Sequence, residues 1–263
     1  MGMHLQLVVP CYNETHRFRP DEFLQLVRSR SDIALLFVDD GSTDETSVLL
    51  ADILVRGDGQ VSVLTLPENV GKARAVQSGV LAAFEKQPEF VGYWDADLST
   101  PLTALTDFLQ VLEAHPEIDI VMGARVRLLG RQINRNAVRH YCGRAFATAV
   151  SLALGVGVYD TQCGAKVFRA NGLVRQAFNA PFRSKWIFDV EILDRYMAYV
   201  AATGKASAES RICELPLRTW TDVPGSKLSP GHTVRAIWDL AVIWRRSAGR
   251  RGCAQTQNSE RRT

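Results

Sequence analysis

An α/β fold, an open and mostly parallel sheet with helices on both faces, is what this sequence predicts, and three observations carry the prediction. Across roughly the first half of the chain, short apolar runs rich in β-branched residues alternate with longer helical patterns, and strands that alternate with helices need the crossover connections of a parallel sheet. Several of those runs are apolar at nearly every position, as strands covered on both faces should be. With 263 residues, 46% hydrophobic and 22% charged, and no break in composition, the chain can bury one large core.

The predicted strands are residues 5–9, 33–38, 61–66 and 90–94, with helices at 20–30, 44–56, 72–86 and 101–115 and a fifth strand at 118–123. Beyond residue 125 the pattern changes to a helix at 137–154, a strand at 165–168, a helix at 187–201 and a strand at 210–217. The longest apolar run, 145–158, is shorter than the ~20 residues that span a bilayer, so no transmembrane helix is predicted. That run reads as a core helix or as one lying at a membrane surface. Residues 233–246 form an amphipathic segment whose apolar positions include Trp238 and Trp244, leading into Arg245-Arg246 and Arg250-Arg251. Such a segment is either a docked terminal helix or a membrane-surface anchor. The expected organisation is one domain over 1–230, a basic amphipathic helix over 231–252 and a disordered tail over 253–263.

A formal net charge of +3 is too small for a nucleic-acid footprint, and basic residues cluster only around 125–139 and 245–251. The five cysteines are odd in number, widely spaced and without a CxxC pair, which argues against a disulfide framework or a zinc site. The N-terminus runs into a strand without the features of a signal peptide. A cytoplasmic setting, peripheral on the membrane face, is expected.

Three strands end in polar, acidic loops: Pro10-Cys11-Tyr12-Asn13-Glu14, Asp39-Asp40-Gly41-Ser42-Thr43-Asp44 and Asp95-Ala96-Asp97. In an open α/β sheet, ligands collect at the carboxyl ends of the strands. Adjacent like charges there are costly unless cations or hydrogen-bond donors meet them, so several such pairs at one edge suggest a metal and a ribose. Asp95-Ala96-Asp97 is the sharpest element, because carboxylates are hard ligands for Mg²⁺ or Mn²⁺ that also bind substrate phosphates. The plainer reading of Asp39-Asp40-Gly41 is a turn in which Thr43 or Asp44 caps the next helix, and that capping is expected as well. No GxGxxG follows the first strand and no GxxxxGK[ST] occurs, so a diphosphate must be held another way. A divalent ion at Asp97, helped by Lys72, would do so.

At these residues the chain resembles glycosyltransferase family 2, with the GT-A fold, and within it the dolichyl/polyprenyl-phosphate glucosyltransferases. The resemblance rests on the three loops above and on Asn69-Val70-Gly71-Lys72, Asp95 to Pro101, Gly123-Ala124-Arg125, Asp160-Thr161-Gln162-Cys163-Gly164, Trp186-Ile187-Phe188-Asp189-Val190-Glu191 and Gly225-Ser226-Lys227. It departs from the family's pattern at Cys11, Ala73 and Ala165. The resemblance implies that Pro10, Tyr12 and Glu14 shape a nucleotide pocket, that Asp39 contacts base or ribose, and that Asp95 contacts the donor. It further implies that Asp97 holds the metal with Asp95 beside it, that Lys72 and Lys227 lie on the donor side, and that the sugar is transferred with inversion. The expected donor is a nucleoside-diphosphate sugar, UDP-glucose by analogy, and the expected acceptor a polyprenyl phosphate at the membrane surface.

A phosphate acceptor is largely ionised at neutral pH, its second pKa being about 6, and needs no strong base. Arg125, Arg127 and Arg139 are candidates to bind it, since guanidinium forks match phosphate oxygens; the alternative is a solvated basic loop. Gln162 reads as loop structure near the acceptor, and Trp186 as a platform for sugar or acceptor or as core. If the acceptor is a hydroxyl, Asp189 or Glu191 must take its proton, unless both are helix N-terminal charges favoured by the dipole. Two other readings stay open: a transferase acting on a hydroxyl of a soluble or polysaccharide acceptor, and an inactive nucleotide-sugar-binding relative.

Overall fold

The structure, a computed structural model, describes residues 3–134, 137–204, 207–223, 236 and 238–247, with 137–139 by backbone alone. The first half alternates as its patterning requires: β1 (Leu5–Cys11), α1 (Pro20–Ser29), β2 (Ile33–Asp39), α2 (Thr46–Arg56), β3 (Val61–Thr65), α3 (Lys72–Phe84), β4 (Phe90–Trp94), α4 (Leu105–Ala114) and β5 (Ile120–Ala124). Then come β6 (Gln132–Asn134), α5 (Ala137–Leu154), β7 (Ala165–Arg169), α6 (Gly172–Asn179), α7 (Phe188–Ala202), β8 (Ile212–Pro216) and β9 (Thr219–Thr221). The helix expected from residue 101 opens with a 3₁₀ turn, Leu102–Ala104, before α4 begins.

Seven strands form one sheet in the order β3-β2-β1-β4-β7-β5-β8, and β6 and β9 pair separately. β1, β2, β3 and β4 are mutually parallel, as are β5 and β8; β7 runs antiparallel between β4 and β5. The period of two along the strands sorts their side chains onto two faces. Val8, Val38, Val91, Tyr93, Met122 and Phe168 pack with α3, α6 and α7 on one face. Leu7, Val9, Phe37, Trp94, Val121 and Val167 pack with α1, α2 and α4 on the other. Both faces are therefore dry, which explains the continuous apolar runs.

The reversed β7 decides where the site is built. Parallel strands bring their C-terminal ends to one edge, and an antiparallel neighbour brings its N-terminal end there: Ala165 of β7 pairs with Trp94, the last residue of β4. The segment 160–164 is thereby laid beside Asp95. Residues 238–247 are helical, and Leu240 and Ile243 are buried in the same core as α7, with Ser247 Oγ donating to the Leu154 carbonyl at 3.5 Å. Within 238–247, part of the expected amphipathic helix, Leu240 and Ile243 are thus docked on the core; most of the rest of 231–252 and the tail expected over 253–263 lie outside the described residues.

Candidate active site

The loops after β1 and β2 are zipped together by short polar side chains. Ser42 Oγ accepts from Asn13 N–H at 3.1 Å, Asn13 Oδ1 accepts from Thr43 N–H at 2.8 Å, and Thr46 Oγ1 accepts from Glu14 N–H at 2.8 Å. The N-cap position of α2 is taken by Glu45, without a side-chain cap bond, rather than by the expected Thr43 or Asp44; Asp44, one residue earlier, accepts from the N–H groups of Thr46 and Thr15. Its slight burial works against ionisation, but those hydrogen bonds prevail and bring its pKa down to about 2. Glu14 is paired with Arg17 at 2.6 Å. Pro10, near the end of β1, and Tyr12, at the start of the loop that follows it, are both half-buried.

Asp39 and Asp40 are both buried and do different work. Asp39 accepts from Ser42 N–H at 3.0 Å and from Ser47 Oγ at 2.6 Å, tying its strand end to α2. Asp40 accepts from Val70 N–H (2.8 Å), Gly71 N–H (2.9 Å) and Asn69 Nδ2 (3.1 Å) and so holds the loop that presents Lys72. Burial raises its pKa, and those amide hydrogen bonds oppose the rise. Gly41 lets this loop come close: its φ is +65°, and a Cβ there would lie 2.5 Å from the carbonyl carbon of Glu68.

The loop after β4 is the centre of the site. Trp94 Nε1 donates to the Thr100 carbonyl at 2.7 Å and fixes the loop's far end, and Asp97 Oδ1 accepts from Ser99 N–H at 3.0 Å. Asp95 N–H donates to the Gly164 carbonyl at 2.9 Å, and its carboxylate lies so close to Gly164 that a Cβ there would fall 1.9 Å from Oδ2. The glycine that ends Asp-Thr-Gln-Cys-Gly thus makes room for the first acid of Asp-Ala-Asp. Lys72 Nζ reaches Asp95 Oδ1 at 2.5 Å. Desolvation pulls the pKa of Lys72 down, and the charges of Asp95, Asp189 and Asp97 more than reverse this, leaving it raised. Lys72, Asp95, Asp97 and Asp189 are therefore one electrostatic cluster. Among the described residues no group of three His, Cys, Asp or Glu side chains is placed to hold a metal by itself.

Asp189, the first of the α7 acids, accepts from Lys166 Nζ at 2.6 Å and from the Tyr93 hydroxyl. Lys166 lies on β7, is 1% exposed, and also donates to the Cys163 carbonyl at 2.6 Å. Burial, reinforced by Asp189, pushes the Tyr93 phenol well above its ordinary pKa. Glu191 is buried and committed to its own loop, accepting from Arg183 N–H at 2.9 Å and Arg195 at 2.8 Å. Lys166 was not singled out in the sequence, although a lysine inside the apolar run Ala165-Lys166-Val167-Phe168 was the signal for a buried partner.

The arginines separate. Arg125 forks onto Asp160 at 2.6 and 2.8 Å, stacks over Trp220 at 5.2 Å and is 12% exposed, so its guanidinium anchors the 160–164 segment. Asp160 in turn has its backbone N–H held by Glu214 at 2.7 Å. Arg127 is exposed on the loop after β5, while the side chain of Arg139 and all of Lys227 lie outside the described residues. Trp186 is half-buried against the core beside α7. Its neighbour Lys185, also not singled out in the sequence, is exposed beside Gly71, where an added Cβ would meet its Cδ at 3.7 Å. Thr161 Oγ1 and Gln162 Nε2 are buried without a hydrogen-bond partner among the described residues. A buried polar atom of this kind is costly, which makes both candidates to meet a substrate hydroxyl or an ordered water.

Residues 6–176 match the family described as Glycosyl transferase family 2. The dolichyl-phosphate beta-glucosyltransferase of Mus musculus is 33% identical over 240 residues, covering 86% of this chain and 70% of its own. That of Trichomonas vaginalis is 28% identical over 253 residues, covering 92% and 71%. Among solved structures, glucosyl-3-phosphoglycerate synthase from Mycobacterium tuberculosis with phosphoglyceric acid superposes with a TM-score of 0.62 at 19% identity, covering 92% of this chain and 80% of that one. The same enzyme with Mn²⁺, UDP-glucose and phosphoglyceric acid gives 0.58 at 19% identity, with coverage of 92% and 80%. At that identity the likeness is one of fold.

Proposed function

This chain belongs to glycosyl transferase family 2 and has the GT-A fold, and from that premise we propose that it is an inverting hexosyltransferase moving glucose from UDP-glucose to a polyprenyl phosphate. The observation that carries the choice of acceptor is the engagement of Asp189. A carboxylate oxygen that accepts from both a buried ammonium and a phenol, on a side chain 8% exposed, is committed to the interior rather than presented to an acceptor hydroxyl. Glu191 is likewise held by backbone and arginine. A site whose α7 acids are both so occupied suits an acceptor that arrives ionised, as a phosphate monoester does.

Asp95 and Asp97 fit a divalent ion that shares its shell with substrate phosphate and water. They are two hard carboxylates on one strand-end loop, without the third protein ligand a closed cage would need. Bound there, Mg²⁺ or Mn²⁺ supplies positive charge to the diphosphate as it leaves. The chain's own residues do the rest. Pro10, Tyr12, Glu14 and Asp39 line the nucleotide side, on loops cross-linked by Asn13, Ser42 and Thr46. Lys72 and Lys185, on loops held by Asp40 and by Glu191, bring cations to the diphosphate, with Lys227 a further donor-side cation. Arg127 and Arg139 receive the acceptor phosphate, and Arg125 positions the segment bearing Thr161 and Gln162, which meet substrate hydroxyls. Trp186 closes the sugar side.

The test is transfer of radiolabelled glucose from UDP-glucose to a polyprenyl phosphate in Mn²⁺ or Mg²⁺. The expected product extracts into organic solvent, disappears with EDTA and falls by about 10²-fold or more in Asp97→Ala, the scale of losing one electrostatic contact to developing charge. Metal-dependent donor hydrolysis without lipid product would move the acceptor to a hydroxyl compound. Neither activity, with several donors, would leave an inactive nucleotide-sugar-binding relative.

A further inference from the structure

Lys72 opens α3, and its ammonium sits on Asp95 Oδ1 at 2.5 Å. The two partners are not equally free to move. Asp95 is fixed by its backbone bond to Gly164 and by the press of its carboxylate against that glycine. Lys72 is 45% exposed on a flexible four-carbon stem, and part-exposed ion pairs are weak enough to exchange partners. An ammonium and a divalent cation on the same carboxylate oxygen repel each other at contact distance. A diphosphate arriving with the ion offers the ammonium a new anion in the same place, at the N-terminus of a 13-residue helix.

We infer that Lys72 is a displaceable counter-ion: it neutralises Asp95 while no nucleotide is bound, and it moves to the diphosphate as the divalent ion takes up the carboxylate. The inference rests on the reading of Asp95 and Asp97 as a divalent-ion site. Its consequence is a positioning role that couples metal to nucleotide. Metal alone must displace Lys72 with no compensation, and metal together with diphosphate does not, so each strengthens the other by the same factor.

The experiment is Mn²⁺ titration of the full chain followed by the electron paramagnetic resonance signal of free Mn²⁺, with and without UDP, in wild type, Lys72→Met and Lys72→Arg. Lys72→Met is expected to bind Mn²⁺ without UDP roughly tenfold more tightly than wild type, within the ordinary range of coupling between ligands, and to lose most of the strengthening that UDP confers. Lys72→Arg keeps the charge and is expected to behave as wild type. Lys72→Gln repeats the neutralisation without adding an apolar side chain. Unchanged or weaker Mn²⁺ binding by Lys72→Met and Lys72→Gln in the absence of UDP would overturn the inference and leave Lys72 a simple diphosphate contact. Failure of wild type and variants alike to bind Mn²⁺, with UDP or without, would overturn the metal reading and this inference with it.

Discussion

Lys166 and Asp189 are the residues on which the interior of the site depends. Both are more than nine-tenths buried, and each satisfies the other's charge. Removing one member of a buried pair leaves an uncompensated charge, at a cost of about 3–5 kcal/mol, whereas replacing both with apolar groups is far milder. Lys166→Met is therefore expected to lower the unfolding free energy in urea by about that amount, and Lys166→Met with Asp189→Leu to recover a part of it. Equal urea midpoints for wild type and the single variant would show that the pair does not hold this region. At the residue scale, the placement of Asp95 and Asp97 on one strand-end loop was legible because the apolar run before them stops at Trp94. Lys166 was passed over because a strand with three apolar residues in four reads as core, and its partner lies 23 positions away on α7. The engagement of Arg125 by Asp160 was hidden for the same reason, since the two are 35 positions apart.

Among elements, the segment from Asp160 to Gly164 governs the geometry of the acidic loop it faces. Gly164→Ala places a methyl group where the Asp95 carboxylate lies, and that carboxylate must move. A displacement of about 1 Å at a reacting centre costs on the order of 10²-fold, so glucosyl transfer by Gly164→Ala is expected to fall by that factor. Transfer at the wild-type rate would show that Asp95 tolerates another placement. The alternation of β1 to β5 with α1 to α4 was readable because each element carries its own period. Two features were not. β6 and β9 have three residues each, too few to display a period. The direction of β7 is set by pairing with β4, more than 70 positions earlier, and no local signal carries it. α6 was also missed, although Asn171 capping the Val174 N–H at 3.0 Å is a start signal present in the sequence.

Over the whole molecule, apolar side chains left facing outward bear on how a lipid acceptor would be met. Trp238 is 72% and Trp244 54% exposed on the C-terminal helix, beside exposed Arg245 and Arg246, while Leu240 and Ile243 are buried in the core. Aromatic rings next to arginine suit the headgroup region of an anionic bilayer. Trp238→Ala with Trp244→Ala is expected to lower sedimentation with anionic vesicles severalfold while leaving the melting temperature within a few degrees, in keeping with substitutions at exposed positions. Equal sedimentation would remove this helix from the membrane reading. No helix among the described residues is long and apolar enough to cross a membrane. The backward course of β7 also bears on how the protein is made. Until Ala165–Arg169 has left the ribosome, β4 and β5 have no strand between them, and each presents an open edge. Unpaired edges of apolar strands recruit other chains. Synthesis from Ala124 to Arg169 is thus an interval in which the facing edges of two apolar strands stand open, before the strand that joins them is complete.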